Sequence, residues 1–303
     1  MGKSSIVMFA LILLLLNNPV SADSAEGDYN WDHPSEVAVS NLEIAFTRLK
    51  YSRAKNQSVF VMGYFNDGWV LMFSLFELDA PLLNRWGMYA LVAEPDGTSH
   101  WKSGSIDKRA VVISEDHLFF TDGAITIEDF GDRFILQCDF DGFVCDIIFT
   151  KYLDPWKPGT GREQYTKDGE TFQHKAVFAP WASISGWIEV DGLSVNVNGQ
   201  GYGEKTLFVN PLTRYQPYLH ALRLYTHYSN PREESWHIGI LEATLNKAYG
   251  SRVLPRIVLA RDDEWIFTSR EYEFIPQKTV EPDFSPYPYP AKFKLFAEKN
   301  GYT

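Results

Sequence analysis

The chain has 303 residues, 45% hydrophobic and 22% charged, a balance that excludes a disordered chain and a multi-span membrane protein. Its net charge of −11, with no compensating run of Lys and Arg, repels phosphate backbones, so nucleic acid is excluded as a partner. The 21 Phe, 16 Tyr and 9 Trp tilt the composition toward β structure, because flat, bulky side chains fit pleated, half-buried surfaces.

Residues 1–22 read as a cleaved signal peptide: Lys3 gives a positive start, residues 6–16 are unbroken apolar, and Val20-Ser21-Ala22 offers small residues for cleavage. The mature chain would begin at Asp23 and be exported, whether secreted, periplasmic or held in a secretory lumen. The apolar stretch is too short for a stable membrane span. Residues 36–50 are the first helix candidate, and residues 242–249 the second. Between them lies a strand-rich block. Residues 69–76 (WVLMFSLF) are apolar on both faces and residues 86–93 (WGMYALVA) nearly so, which implies strands covered on both sides. Such strands fit a barrel with a ligand cavity or one filled by side chains, and the pattern does not choose between them.

Asp-Gly recurs at Asp67-Gly68, Asp96-Gly97, Asp122-Gly123, Asp141-Gly142, Asp168-Gly169 and Asp191-Gly192, mostly flanked by apolar or aromatic segments, the pattern of successive antiparallel hairpins. Around Asp141-Gly142 the symmetric register pairs Phe140 with Phe143, Cys138 with Cys145, Leu136 with Ile147 and Phe134 with Phe149. That face is apolar, whereas Arg133, Gln137, Asp139, Asp146 and Thr150 share the other. Around Asp191-Gly192, Val190 pairs with Leu193 and Ile188 with Val195. The only cysteines, Cys138 and Cys145, thus stand opposite each other; a disulfide is expected after export, with two buried thiols as the alternative.

Residues 154–173 are rich in Pro, Gly and charge and are read as a linker. It would separate an N-terminal barrel domain at 23–153 from a C-terminal barrel domain at 174–280, with a Pro-rich tail at 281–303. The fold class expected from the hairpin series is all-β. Seven histidines are present, but His220, His227 and His237 match no zinc spacing, so no metal and no other cofactor is expected. If residues 218–228 form a strand, His220 faces the interior with Leu222 and Leu224. Neither a nucleophile elbow nor a phosphate loop is present. Asn56-Gln57-Ser58 is the single N-glycosylation sequon.

A family resemblance rests on four segments in order: Trp156-Lys157-Pro158-Gly159-Thr160-Gly161, Phe178-Ala179-Pro180, the hairpin from Ser185 through Trp187 to Gly192, and Val197-Asn198-Gly199-Gln200-Gly201-Tyr202-Gly203-Glu204. Together these resemble the AttH/CrtC-like lipocalin family, which includes carotenoid 1,2-hydratases and yeast survival-factor proteins. The resemblance implies two consecutive lipocalin-like (calycin-type) antiparallel barrels. Enzymatic members continue the Gly-x-Gly-Tyr segment with an acid, then His, then Trp two positions on. Here those positions are Glu204, Lys205 and Leu207, so the acid is kept and the His and Trp are not.

The sequence therefore reads as an exported binding protein for an apolar, lipid or isoprenoid-like small molecule, with Tyr202, Glu204 and His220 as polar contacts. The alternatives are a cofactor-free hydratase, cyclase or isomerase on an apolar substrate, with Glu204 as general acid and Tyr202 beside it, and a structural protein with solid barrels.

Overall fold

A computed structural model describes residues 36, 38–47, 55–80, 83–164, 172–209, 221–229, 234–244, 253–280 and 289–297. Within them the chain is all-β and lipocalin-like. A 12-stranded antiparallel sheet holds β1 (Lys55–Phe65), β2 (Val70–Ala80), β3 (Leu83–Ala93), β4 (Ser99–Ile106), β5 (Val112–Ile113), β6 (Phe119–Thr121), β7 (Ile125–Asp129), β8 (Arg133–Phe140), β9 (Phe143–Lys151), β10 (Arg162–Gln164), β11 (Phe172–Val190) and β12 (Leu193–Val209). Its order is β4-β3-β2-β1-β12-β11-β9-β8-β7-β6-β5, with β10 on β11. A 4-stranded sheet follows, of β13 (Ala221–Ser229), β14 (Ser235–Thr244), β15 (Val253–Arg261) and β16 (Glu264–Ser269). The last pair is the ribbon of β17 (Glu273–Val280) and β18 (Tyr289–Phe296).

Both expected hairpin registers are present, with Cys138 opposite Cys145 and Ile188 opposite Val195. Asp141, Gly142, Asp191 and Gly192 all have positive φ, as two-residue turns that match strand twist require. On the inward face of the first hairpin Phe134, Leu136, Phe143, Ile147 and Phe149 are fully buried, and Phe140 at the turn is half-buried.

The linker at 154–173 does not divide the sheets. β11 and β12 follow it in sequence yet insert between β1 and β9, so the expected domain boundary is corrected: the first barrel runs through Val209. Local composition marks a turn-rich segment, but it cannot reveal that a meander needs the next hairpin to join its two halves. The connector is itself packed, with Trp156 fully buried and bridged to Val177. Curling brings the sheet's distant strands together, since Lys102 and His100 of β4 reach Asp191 at the β11–β12 turn, 2.6 and 3.0 Å away.

Aromatic rings fill the interior of this barrel. Phe134 stacks on Phe149 at 4.1 Å, Phe178 meets Phe134 edge-on at 5.1 Å, and Trp86 lies 4.9 Å from Phe120. Of the two readings of the doubly apolar strands, the first barrel carries the filled one.

Other expectations change. Among the described residues of the 36–50 region, only α1 (Asn41–Ile44) is helical. Ile44, Ala45 and Phe46 enter the barrel mouth consecutively, which one face of a helix cannot do. Residues 242–244 end β14, paired on both sides, and residues 245–250 lie outside the described set. The Pro-rich tail contributes β18, whose Pro290 is tolerated because a two-stranded ribbon leaves an edge on each strand. Asn56 of the sequon lies within β1, half-buried between β2 and β12.

Candidate functional site at the seam between the sheets

β12 is covered on both faces, and its alternation divides the residues singled out above. Phe60 opposes Glu204 and Met62 opposes Tyr202, so these four side chains leave the first barrel on its outer face. Across the seam they meet Val258 of β15 and Trp265 of β16, with Trp156 and Val177 completing an apolar cluster around Tyr202. Tyr202 and Glu204 are thus brought together as expected, on the wall between the sheets and outside the barrel interior. The indole nitrogen of Trp156 is buried there with no hydrogen-bond partner among the described residues.

Glu204 is 2% exposed. Its Oε1 accepts from the Lys175 ammonium at 3.0 Å, and its Oε2 accepts from the Tyr202 hydroxyl. Lys175 opposes Thr206 two pairs along from Val177, which places it on the same face. Further along, the Gln173 amide donates to Glu163 of β10, and Arg256 of β15 approaches Glu163 at 3.6 Å. Burial of carboxylates is tolerable only with such partners.

Glycines 201 and 203 point the other way. An added Cβ at Gly203 would lie 2.5 Å from the Phe178 ring, and one at Gly201 2.5 Å from Ile184, so the room they leave is filled by the barrel core and not by a ligand. Lys205 also faces inward, opposite Val59. Its amine donates to Gln57 Oε1 at 3.1 Å and lies 5.2 Å over the Phe46 ring, and burial pushes it down to about 7, against the opposing pull of Glu77. Glu204 and Lys205, adjacent in sequence, therefore serve different environments.

Toward the other end of the outer face, Asn198, Gln200 and Ser183 line an open cleft of about 690 Å³ with Tyr152, Trp181 and His237. The Trp181 and His237 rings meet at 4.7 Å. A small void of about 10 Å³ continues past them to Val258 and Trp265, the residues that cover Tyr202. Cleft, aromatic wall and buried acid thus follow one another along the seam.

His220 lies outside the described residues. His237 pairs in register with His227, and among the described residues no three His, Cys, Asp or Glu side chains gather as metal ligands. Cys138 and Cys145 are free, buried thiols here, a departure from the expected bridge; the two-residue turn makes them a hydrogen-bonded pair, the wider of the two cross-strand spacings. Sequence reasoning missed Lys175, Glu163, Gln173 and Arg256. The alternation Gln173-x-Lys175-x-Val177 could have shown a shared face, but nothing local shows that it is buried.

No protein-family model matches the sequence, and no curated protein matches it. Among solved structures, the fold is similar to a Nitrosomonas europaea protein assigned as AttH (NE1406), with TM-score 0.54 and 10% identity over 91% of this chain and 82% of that one. It is similar to CghA with TM-score 0.54 and 12% identity over 81% and 68% of the two chains. Kievitone hydratase from Nectria haematococca superposes with TM-score 0.49 and 13% identity over 88% and 81%. At these identities the likeness is one of fold: this chain has the lipocalin-like fold of the AttH structure.

Proposed function

We propose that the protein is an exported carrier or receptor for a small, largely apolar molecule, lipid or isoprenoid-like, held in the cleft between the two sheets. The observation that carries this reading is the cleft itself, whose volume of about 690 Å³ lies in the range of small-molecule sites. Tyr152 and the exposed edge of Trp181 offer apolar surface for the body of a ligand, and Asn66, Asn198, Gln200, Asp262 and Asp263 offer polar contacts around it. Tyr202 and Glu204 lie deeper along the same face.

Organic extraction of the purified full chain, with mass spectrometry of the extract, should recover an apolar molecule. Titration with retinol and with palmitic acid, followed by tryptophan quenching, should saturate for at least one of them, and Trp181→Ala should weaken that binding about tenfold or more. An empty extract together with no saturable quenching by either probe would overturn the reading.

One observation favours a second reading, a cofactor-free hydratase, cyclase or isomerase. The Tyr202 hydroxyl, the Glu204 carboxyl and the Lys175 ammonium form a buried acid-base trio beside an apolar wall. Turnover lost in Glu204→Gln with binding retained would support it.

A further inference from the structure

The inner face of β12 holds a feature that the seam does not use. Lys205 is 3% exposed, and among the described residues no carboxylate lies within ion-pair distance of its amine. Other enclosed lysines are paired: Lys151 with Asp129 at 2.7 Å, Lys157 with Glu43 at 2.8 Å, and Lys175 with Glu204 at 3.0 Å. The acid whose charge acts on it, Glu77, is taken up by Gln57 Nε2 at 2.7 Å and by Lys108 at 3.0 Å. A buried ammonium without a counter-charge is costly, so the neutral amine is favoured, and its free lone pair makes it a nucleophile.

Phe46 covers this amine. The segment that carries it belongs to neither sheet. It is held by a reciprocal amide pair, Thr47 N–H to Gln57 Oε1 at 3.1 Å and Gln57 Nε2 to Thr47 O at 2.8 Å, and by Lys157, whose ammonium bridges Glu43 and Glu36. Lifting these four residues would take the Phe46 ring off the Lys205 amine.

We propose that Lys205 is a covalent site for a small aldehyde, bound as an imine when the Ile44–Thr47 segment lifts. The amine lone pair attacks the carbonyl carbon, and the C=O electron pair moves to oxygen. The two Nζ protons then leave with that oxygen as water while the C=N bond forms, so no oxidant, reductant or co-reactant is required. A neutral imine suits a buried position with no counter-ion for the amine. Gln57 Oε1 loses one donor but keeps the Thr47 N–H, so no buried acceptor is orphaned. Burial sets the amine's state against the opposing charge of Glu77 on β2; Lys108 faces Glu77, His174 of β11 interacts with Lys205, and Glu43 and Lys157 hold the covering segment. Burial holds the amine near 7, where solvent-exposed lysines are almost wholly ammonium, a difference of about a thousandfold in neutral fraction.

This site lies on the opposite face of β12 from the seam, so it stands or falls separately from the proposed function. The test is reductive trapping of the full chain with propionaldehyde and cyanoborohydride, followed by peptide mapping. At neutral pH Lys205 should be alkylated about tenfold faster than the mean exposed lysine, with the advantage fading near pH 10. Phe46→Ala should speed that labelling, as should Thr47→Pro, which removes one amide of the latch and keeps the ring. Lys205→Met should remove the fast label and leave the others. Absence of label at Lys205 in the parent and in whichever opened variant folds, or labelling that rises with pH in step with exposed lysines, would overturn the proposal.

Discussion

Replacing Lys205 with Met should stabilise the protein, and by an amount that depends on pH. In the folded chain burial pushes the amine from about 10.5 down to about 7, whereas the unfolded chain returns it to the ordinary lysine value. Between those values the unfolded state binds more protons than the folded state, so stability rises with pH across the window. The penalty is complete below about 7 and is lifted as pH climbs through the unfolded value. Two-state linkage puts it at about 4 kcal/mol at pH 7 and about 2 kcal/mol at pH 9. Methionine keeps the length and apolar bulk of the side chain. Gln57 Oε1 retains its bond from Thr47, and Glu77 retains Lys108, so little is orphaned by the change. Urea unfolding followed by circular dichroism should therefore find Lys205→Met more stable by about 2–4 kcal/mol at pH 7, with the gain roughly halved at pH 9. Comparing the two proteins at each pH cancels the other titrating groups, including Cys138, whose upward shift to about 12 has the opposite slope. A variant less stable at pH 7, or a difference that ignores pH, would refute the burial argument.

Glu204→Gln removes the carboxylate paired with the buried Lys175 ammonium and should cost about 3–5 kcal/mol in urea unfolding. Combining it with Lys175→Met should recover more than half of that loss; additive losses would show that the pair is not coupled. Burial drives the Cys138 thiol up to about 12 and that of Cys145 well above its ordinary value, and the thiolate is the reactive form. Ellman's reagent at pH 8 should find no thiol in the native chain and both thiols in guanidinium; none in guanidinium without reductant would instead establish the bridge.

The sequence made the first barrel's hairpins legible because register follows from local signals. Asp141-Gly142 and Asp191-Gly192 fix the turn, and from there alternation alone assigns Phe134, Leu136 and Ile188 to the core. Strand order was not legible. Pairing of β1 with β12 joins Lys55 to Val209 across more than half the chain, and no nearby residue encodes it. The site was half legible. Tyr202 and Glu204 share a face by parity, but which body each face of β12 meets depends on the insertion of that hairpin between β1 and β9. For the same reason nothing local shows that Gly201 and Gly203 admit the rings and methyl groups of Phe178, Phe149 and Ile184.

β12 is best understood as a partition. A strand at the middle of a sheet, with a second body packed on its outer face, must bury consecutive residues on opposite sides, so any charge placed on it needs a partner from that side alone. Toward the seam, the Glu204 carboxylate accepts from Lys175 and Tyr202. Toward the barrel, among the described residues Lys205 donates to the amide of Gln57 beneath the Phe46 ring, and burial there lowers its pKa to about 7. Exchanging the two residues would reverse both matches: the amine would face Lys175 and the carboxylate would sit over the Phe46 ring without a cation in contact. The order Glu then Lys is therefore set by which side offers a counter-charge. The chemistry available at either face, ligand contact on one and carbonyl capture on the other, follows from that difference and not from the two residues' adjacency in sequence.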